Sequence, residues 1–205
     1  MGQTHRFHND FETFSEVDLK KCGSSVYARH PSTEILMQAY ATDDGEIAQW
    51  VPVENIGPRT AYSSTERYRK ALLADMPPEL KEAIRDPSYF WFAWNKSFEY
   101  QILLHVAGIE IPHNRWRDPM VLALTLSFPG ALDSVATLLN LPPELRKKAG
   151  MALINKFSKP RKPTKTIDRV RNMPEHFPEA WEQYKDYNRG DTAAERACWL
   201  KMRPF

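Results

Sequence analysis

The pattern of apolar and polar positions predicts strands in the first half of the chain and mostly helices in the second. Runs rich in Ile, Leu, Val and aromatic residues indicate strands, and Asp44-Gly45 between two of them is typical of a hairpin turn. The predicted strands are residues 7–14, 34–41, 46–51, 89–93 and 116–118. The predicted helices are residues 64–74, 78–85, 97–107, 132–139, 143–157 and 178–202, with another beginning at Pro119. This order predicts an α/β fold in which helices flank a mixed sheet.

The first predicted strand carries an unusual number of polar residues. Side chains alternate between the two faces of a strand, so Asp10 and Glu12 are expected on the same face. His8 and Asn9 stand where apolar residues are expected. The sequence therefore predicts a frayed or altered beginning of this strand.

The composition is typical of one soluble globular domain, residues 1–205, with 42% hydrophobic and 26% charged residues. No apolar run approaches the roughly 20 residues that span a bilayer, and residues 1–6 lead into no signal-peptide core. No membrane contact is expected. Two cysteines do not make a disulfide framework, which favours a reducing cytoplasm.

A basic segment, residues 156–171, stands out because the net charge of the whole chain is only +2. It contains seven Lys or Arg residues against one acid, Asp168, and two prolines that interrupt any helix. An exposed, extended loop is predicted here. Lys159, Arg161 and Lys162 are candidate contacts to a nucleic-acid backbone; the alternative is an ordinary solvated loop.

Candidate chemistry lies in three short acidic elements far apart in sequence. They are DFE (residues 10–12), NKSFE (residues 95–99) and YNRGD (residues 187–191). Alone, each has an ordinary explanation, such as surface carboxylates or a helix cap at Asn95. Four carboxylates gathered in one cleft would repel one another unless divalent cations lay between them. Oxygen ligands favour Mg²⁺ or Mn²⁺, and no Cys or His cluster has zinc spacing.

The order of these elements resembles the three motifs of the DEDD exonuclease superfamily, in its tyrosine branch. The surrounding sequence is similar to the proofreading domain of phage-type family A DNA polymerases, and this resemblance covers the chain from about residue 10 to its end. The segments that carry it are DFETFSEVDLKK (residues 10–21), WRDPM (116–120), FPGAL (128–132) and LKMRPF (200–205), the last resembling the junction into a polymerase. The resemblance implies a ribonuclease H-like topology.

The same resemblance implies a site with two metal ions. Asp10 would bridge both ions, and Glu12 and Asp191 would complete the ligands of the more tightly held ion. Glu99 stands where the usual pattern has Asp and would serve the second ion. Tyr187 would orient the attacking water. The histidine branch has His at the position of Asp186, which favours the tyrosine branch here.

Substrate contacts are expected beside these motifs. Thr13 follows Glu12 and is a candidate contact to the terminal nucleotide. Phe14 and Phe98 are candidates for stacking on the terminal bases, although core packing is the favoured interpretation for Phe98. Asn95 belongs to the same candidate set.

The expected function is metal-dependent 3′→5′ exonuclease action on the 3′ end of single-stranded DNA, as the editing module of a DNA polymerase. A polymerase domain or subunit is the expected partner. Two alternatives stay open: an exoribonuclease of the same superfamily, and a degenerate exonuclease kept as a DNA-binding or interaction module. The second has two supports, the Glu99 substitution and the polar first strand.

Overall fold

The computed structural model describes residues 4–146, 150–164 and 169–204. At its centre lies a five-stranded mixed sheet with the strand order β3-β2-β1-β4-β5. The strands are β1 (His5–Phe14), β2 (Glu34–Thr42), β3 (Ala48–Trp50), β4 (Tyr89–Phe92) and β5 (Trp116–Arg117). β1 pairs antiparallel with β2 and parallel with β4, β2 with β3 is antiparallel, and β4 with β5 is parallel. The predicted mixed sheet is confirmed.

Helices cover both faces of the sheet. They are α1 (Leu19–Arg29), α2 (Pro52–Ile56), α3 (Thr65–Asp75), α4 (Pro78–Arg85), α5 (Lys96–Ile102), α6 (Pro119–Thr125), α7 (Leu132–Leu138), α8 (Met151–Phe157) and α9 (Pro178–Met202). The architecture is therefore the α/β fold with flanking helices that the sequence predicts, and α9 has the predicted bounds.

Alternate side chains of the central strand β1 lie on opposite faces of the sheet and pack against different elements. On one face, Phe7 and Phe11 belong to the largest apolar cluster, together with Trp91. On the other face, the side chains of β1 lie against α9, which contacts both β1 and β2. Asp10 and Glu12 are on this second face, as the alternation predicts.

His8 and Asn9 are buried, and this part of β1 is paired with both β2 and β4, so the prediction of a frayed strand is wrong. The Nδ1 atom of His8 lies 2.7 Å from a carboxylate oxygen of Glu195 on α9. The amide of Asn9 donates to the carbonyl of Phe92 at 2.9 Å and accepts from Gln38 at 3.3 Å. Each of these side chains has at least one hydrogen-bonding partner in a neighbouring element, which offsets part of the cost of taking it out of water. Among the described residues, His8 Nε2 and Glu195 Oε1 have no such partner.

Two predicted helices are interrupted. The helix expected over residues 143–157 is instead a 3₁₀ turn (Pro143–Leu145), extended backbone at Arg146 with φ −91° and ψ 140°, and then α8; residues 147–149 lie outside the described part. The helix expected over 97–107 begins as α5 and continues as a π-helical turn, Leu103–Ala107. Gly108 then ends it in the left-handed region at φ 73°, a conformation that glycine adopts without strain.

Helix α1, which the apolar pattern does not predict, follows β1 directly. The Asp18 side chain caps this helix by accepting from the backbone N–H of Lys20. The helix is kinked at Gly23, where φ is 75°. Within the residues described, none of the helices is both long and apolar enough to cross a membrane.

The buried His8–Glu195 pair yields a stability prediction. Replacing only Glu195 with Leu leaves His8 buried without its partner and should cost about 2–4 kcal/mol in the free energy of unfolding. The double variant His8→Leu/Glu195→Leu should recover most of that loss, because no polar group is then stranded. Urea unfolding of the two variants, with the exposed α9 substitution Glu182→Leu as the control, measures both values. A double variant no more stable than Glu195→Leu would contradict this account.

Candidate active site between strand β1 and helix α9

Two carboxylates of β1 are held by side chains of α9. The amide nitrogen of Asn188 donates to Asp10 Oδ2 at 2.8 Å and to the Asp10 carbonyl at 3.1 Å. The hydroxyl of Tyr184 donates to Glu12 Oε2. The β1–β2 register shifts by one residue directly after Glu12, where Leu36 of β2 is the extra residue. Strand geometry and two hydrogen bonds therefore fix where both carboxylates point.

Helix α9 brings Tyr187 and Asp191 to the same place. The two residues are four apart, so they lie on one helix face, and the Tyr187 hydroxyl donates a hydrogen bond to Asp191. Burial raises the pKa of Tyr187 far above its usual value, and the negative charges of Asp191, Glu12 and Asp10 raise that pKa further. Tyr187 is therefore a protonated donor across the physiological pH range.

Glu99 lies near the same carboxylates. Its helix, α5, follows β4, which pairs with the edge of β1 opposite to β2. Glu99 lies in the first turn of α5 and its side chain is 3% exposed. Burial raises the pKa of Glu99 well above its usual value, and the charge of Asp10 is the next largest cause, followed by Asp118 and Glu12. Its Oε2 atom is buried with no hydrogen-bond partner among the residues that the structure describes.

These charge interactions indicate that the predicted site residues lie close enough to influence one another's pKa values. Asp10 and Glu12 act on both Glu99 and Tyr187, and Asp191 acts on Tyr187. Three distant parts of the sequence thus meet where β1, α5 and α9 come together. The repulsion among these carboxylates is the condition under which a bound cation is stabilising.

Asp118 fixes the entry to α5 and was not among the predicted site residues. Its carboxylate accepts from the backbone N–H groups of Asn95 and Lys96, each at 3.1 Å, and from that of Met120 at 3.0 Å. Asn95 itself is in the left-handed region, with φ 63° and ψ 56°. The Asp-Pro pair before α6 is a recognisable helix start. The hydrogen bonds from Asp118 to the start of α5, however, depend on the pairing of β4 with β5, which the local sequence does not show.

Asn95 stands at the N-cap position of α5 and makes no side-chain capping hydrogen bond. Asn95 therefore occupies the predicted cap position, but the Asp118 carboxylate, and not the Asn95 side chain, accepts from the first backbone amides of the helix. The Asn95 side chain is exposed, which is compatible with its predicted place among the substrate contacts.

Gly150 makes the approach of α8 to the site possible. A Cβ atom at this position would stand 2.0 Å from Cε2 of Tyr187, so only glycine fits against the ring. Tyr187 and Asp191 also line a cavity of about 320 Å³ between α7, α8 and α9. Its walls combine apolar residues such as Leu132 and Leu153 with charged residues such as Glu144 and Arg146. No signal in the sequence singles out Gly150 or this cavity.

The aromatic and hydroxyl candidates near β1 are mostly interior. Thr13 is buried, and its hydroxyl is hydrogen-bonded to the Tyr27 hydroxyl at 2.9 Å. Phe14 is buried beneath the guanidinium of Arg171, which lies 4.3 Å from the ring centre. In the structure the Thr13 hydroxyl and the Phe14 ring are covered by other side chains, and their contact with substrate stays a prediction. Phe98 is half-buried and packs against the main core beside Tyr27, which fits the favoured interpretation.

The basic segment is only partly the extended loop that was predicted. Lys159 and Lys162 are exposed, and the backbone of Arg161 donates to the carbonyl of Val170 at 2.8 Å. Arg171 is not available to a ligand, because it forms a buried ion pair with Glu34. Burial lowers the pKa of Arg171 to about 10, which leaves it charged at neutral pH. Lys165 and Asp168 lie outside the described residues.

The donor set suits a hard divalent cation. Its candidate ligands are carboxylates, one of which has a buried oxygen without a described partner, and oxygen donors favour Mg²⁺ or Mn²⁺. In the part of the chain that the structure describes, no three carboxylate, imidazole or thiol groups are gathered closely enough to hold an ion as they stand. The described residues thus fit these ions in ligand chemistry and charge, but not as a cluster of three ligands already in place.

Comparison with known proteins gives one informative relative. The chain is 40% identical over 197 residues to a protein named DNA polymerase from Bacillus phage SP02. The chain is therefore similar to one part of this phage protein. The match covers 96% of the chain and 28% of the relative, so the chain spans less than a third of the relative's length.

The other comparisons add little. No protein-family model matches the chain. Among solved structures, the yeast NOT1 MIF4G domain co-crystallized with CAF1 is similar at a TM-score of 0.37 and 11% identity, over 69% of this chain and 70% of that one. A similarity this low carries no argument about fold or function.

The buried Glu99 yields a pH prediction for the metal-free protein. A carboxyl group whose pKa is higher in the folded state than in the unfolded state destabilises the fold increasingly as pH rises above the unfolded value, here 4.5. Glu99→Gln should therefore unfold at a higher temperature than wild type at pH 7 in EDTA, and the gap should narrow toward pH 4.5. Thermal unfolding across this range tests the sign, with the exposed Glu16→Gln as the control. Equal stability of Glu99→Gln and wild type at pH 7 would contradict the burial of an unfavourable charge.

Proposed function

We propose that this chain is a metal-dependent 3′→5′ exonuclease that removes nucleotides from single-stranded DNA ends. The observation that carries this proposal is the meeting of β1, α5 and α9, where the charges of Asp10, Glu12 and Asp191 act on Tyr187 and those of Asp10 and Glu12 act on Glu99. A buried, mutually repelling set of carboxylates beside a protonated phenol suits phosphodiester hydrolysis with divalent cations.

The relative supports DNA as the substrate and a polymerase as the context. Its printed name is DNA polymerase, and the matched stretch covers almost all of this chain. Editing of newly made 3′ ends is the role we infer for this domain, with the polymerase part of such a protein as its partner. The exposed Lys159 and Lys162 remain candidate contacts to the DNA backbone.

In this mechanism Asp10, Glu12, Glu99 and Asp191 would hold two Mg²⁺ or Mn²⁺ ions. Such ions acidify bound water and neutralise charge on the phosphate oxygens. Because the ions supply that chemistry, the chain needs no strong protein base. The carboxylates provide the negative field that retains the ions and fix their place relative to β1.

The task of Tyr187 would be to orient the attacking water. Its raised pKa keeps the phenol protonated, so it can donate to the water oxygen. In the structure that proton is donated to Asp191, and orienting a water requires the hydroxyl to exchange this partner for the water. The cavity of about 320 Å³ beside Tyr187 and Asp191 offers room near the reacting group for a terminal nucleotide.

A second candidate function is that of a non-catalytic DNA-binding or interaction module. One observation favours it: within the described residues, no three ligand side chains already stand together as a metal cluster. The polar first strand no longer supports this candidate, because its polar start is paired in the sheet and His8 contacts Glu195. An exonuclease assay with purified protein and Mn²⁺ separates the two candidates.

The substitution Asp10→Ala should abolish cleavage, since it removes the carboxylate expected to serve both ions. Loss of more than about 1,000-fold in rate is expected for a group on which the ion-bound chemistry depends. A 5′-labelled single strand incubated with Mn²⁺ and resolved as a ladder measures the rate. Asp44→Ala, at an exposed turn, should retain wild-type activity. Near-wild-type turnover by Asp10→Ala would remove this residue from the site.

The substitution Tyr187→Phe keeps the ring against Gly150 and deletes only the hydroxyl. It should slow the chemical step about 10- to 1000-fold, the usual loss for one positioning or stabilising group. Single-turnover kinetics at saturating Mn²⁺ measure that step, and thermal unfolding in EDTA checks that the variant is folded. An unchanged single-turnover rate would exclude the hydroxyl from the mechanism.

A further inference from the structure

We propose that Tyr184 and Asn188 are positioning residues that set the Glu12 and Asp10 carboxylates for metal binding, an inference that rests on the proposed function. Tyr184 and Asn188 are fully buried. Each donates a hydrogen bond from α9 to one carboxylate of β1: Tyr184 to Glu12 and Asn188 to Asp10. Neither residue belongs to the acidic motifs that define the site in the sequence.

The Tyr184 hydroxyl has only one proton, and that proton is directed at Glu12. The Ser158 hydroxyl lies 2.6 Å from the Tyr184 oxygen. Because the Tyr184 proton is donated to Glu12, Ser158 must be the donor in this second bond. A buried chain of two hydroxyl groups therefore ends on Glu12 and gives the phenol a fixed direction.

The Asn188 amide is fixed in a similar way from behind. Its oxygen accepts from the Gln49 amide nitrogen at 2.9 Å, while its nitrogen donates to Asp10. Gln49 in turn accepts from Arg189 at 2.7 Å and donates to the carbonyl of Lys185 at 3.0 Å. A carboxylate can only accept hydrogen bonds, so this network places the donor end of Asn188 toward Asp10.

The spacing of the two donors matches that of the two carboxylates. Tyr184 and Asn188 are four residues apart, which is about 6 Å along a helix. Asp10 and Glu12 are two residues apart, which is about 6.6 Å along a strand. Successive turns of α9 thus reach successive inward side chains of β1.

The two functions of α9 are interleaved on one face. Tyr184 and Asn188 hold the carboxylates of β1, while Tyr187 and Asp191, three residues further on in each case, complete the site. Tyr184 and Tyr187 also stack, with ring centres 6.1 Å apart and planes inclined by 24°. The hydrogen bonds that orient carboxylate ligands commonly control metal affinity, so their loss is expected to weaken metal binding rather than only the fold.

The test compares Tyr184→Phe and Asn188→Leu with wild type and with Tyr62→Phe. Tyr62 is a matched control, because its hydroxyl donates to the carbonyl of Ile56 at 2.7 Å, in a hydrogen bond that involves none of the site residues. Calorimetric titration with Mn²⁺ gives metal affinity without DNA, and the Mn²⁺ concentration for half-maximal cleavage of a labelled single strand gives it with DNA. Thermal unfolding in EDTA measures the stability of each variant.

A positioning role predicts that Tyr184→Phe and Asn188→Leu bind Mn²⁺ about 10- to 100-fold more weakly than wild type. Their cleavage rates should recover substantially at saturating Mn²⁺, because the ligands themselves are still present. Tyr62→Phe should lose stability without losing Mn²⁺ affinity. Wild-type Mn²⁺ affinity in folded Tyr184→Phe and Asn188→Leu would overturn the inference.

If Asn188→Leu does not fold, Gln49→Met replaces it. This variant keeps Asn188 and removes the donor that fixes its amide, so weaker Mn²⁺ binding is again expected, and unchanged binding counts against the role of Asn188. The proposed function fails separately, if wild type binds Mn²⁺ but leaves single strands intact; calorimetry alone then decides the positioning role. Wild type that does not bind Mn²⁺ overturns both.

Discussion

Negative charge buried between β1 and α9 is the constraint on which the rest of the structure depends. A carboxylate taken out of water destabilises the fold unless hydrogen bonds or opposite charges replace its hydration. Glu12 and Glu195 are both buried at this interface, and Asp10 is half-buried there. A polar side chain contacts each of these carboxylates: Tyr184 contacts Glu12, Asn188 contacts Asp10 and His8 contacts Glu195.

These three polar pairs make the interface specific in register. Apolar side chains tolerate sliding, whereas each polar pair joins one atom of β1 to one atom of α9. A shift of α9 by one turn would separate all three pairs and leave their buried groups without partners. The same register places Tyr187 and Asp191 beside the carboxylates, so the contacts that hold the helix also assemble the candidate site.

Glu99 differs from Asp10 and Glu12, because no side chain of α9 is seen to donate a hydrogen bond to it among the described residues. Its helix is positioned through the backbone, by the Asp118 carboxylate, and its Oε2 atom has no described partner. The surrounding negative charge raises its pKa and makes the ionised metal-free site unfavourable. Local departures from stable packing of this kind are expected where a site binds a ligand. A bound divalent cation would offset the repulsion between Glu99 and the neighbouring carboxylates, so the burial of Glu99 is consistent with the proposed function.

The sequence by itself determined the α/β class, the five strands with approximate bounds and helix α9, because the alternation of apolar and polar residues is a local property of the chain. It also indicated the candidate residues Asp10, Glu12, Glu99, Tyr187 and Asp191, because the motifs that contain them can be recognised from their order along the chain. It misjudged His8 and Asn9, since one chain cannot show which polar group will meet a partner. Tyr184 and Asn188 share the helix face of Tyr187, a spacing that could have indicated them. Only the tertiary structure decided that they face Glu12 and Asp10, because hydrogen-bond partners separated by more than 170 residues are chosen by the packing of a helix on a strand.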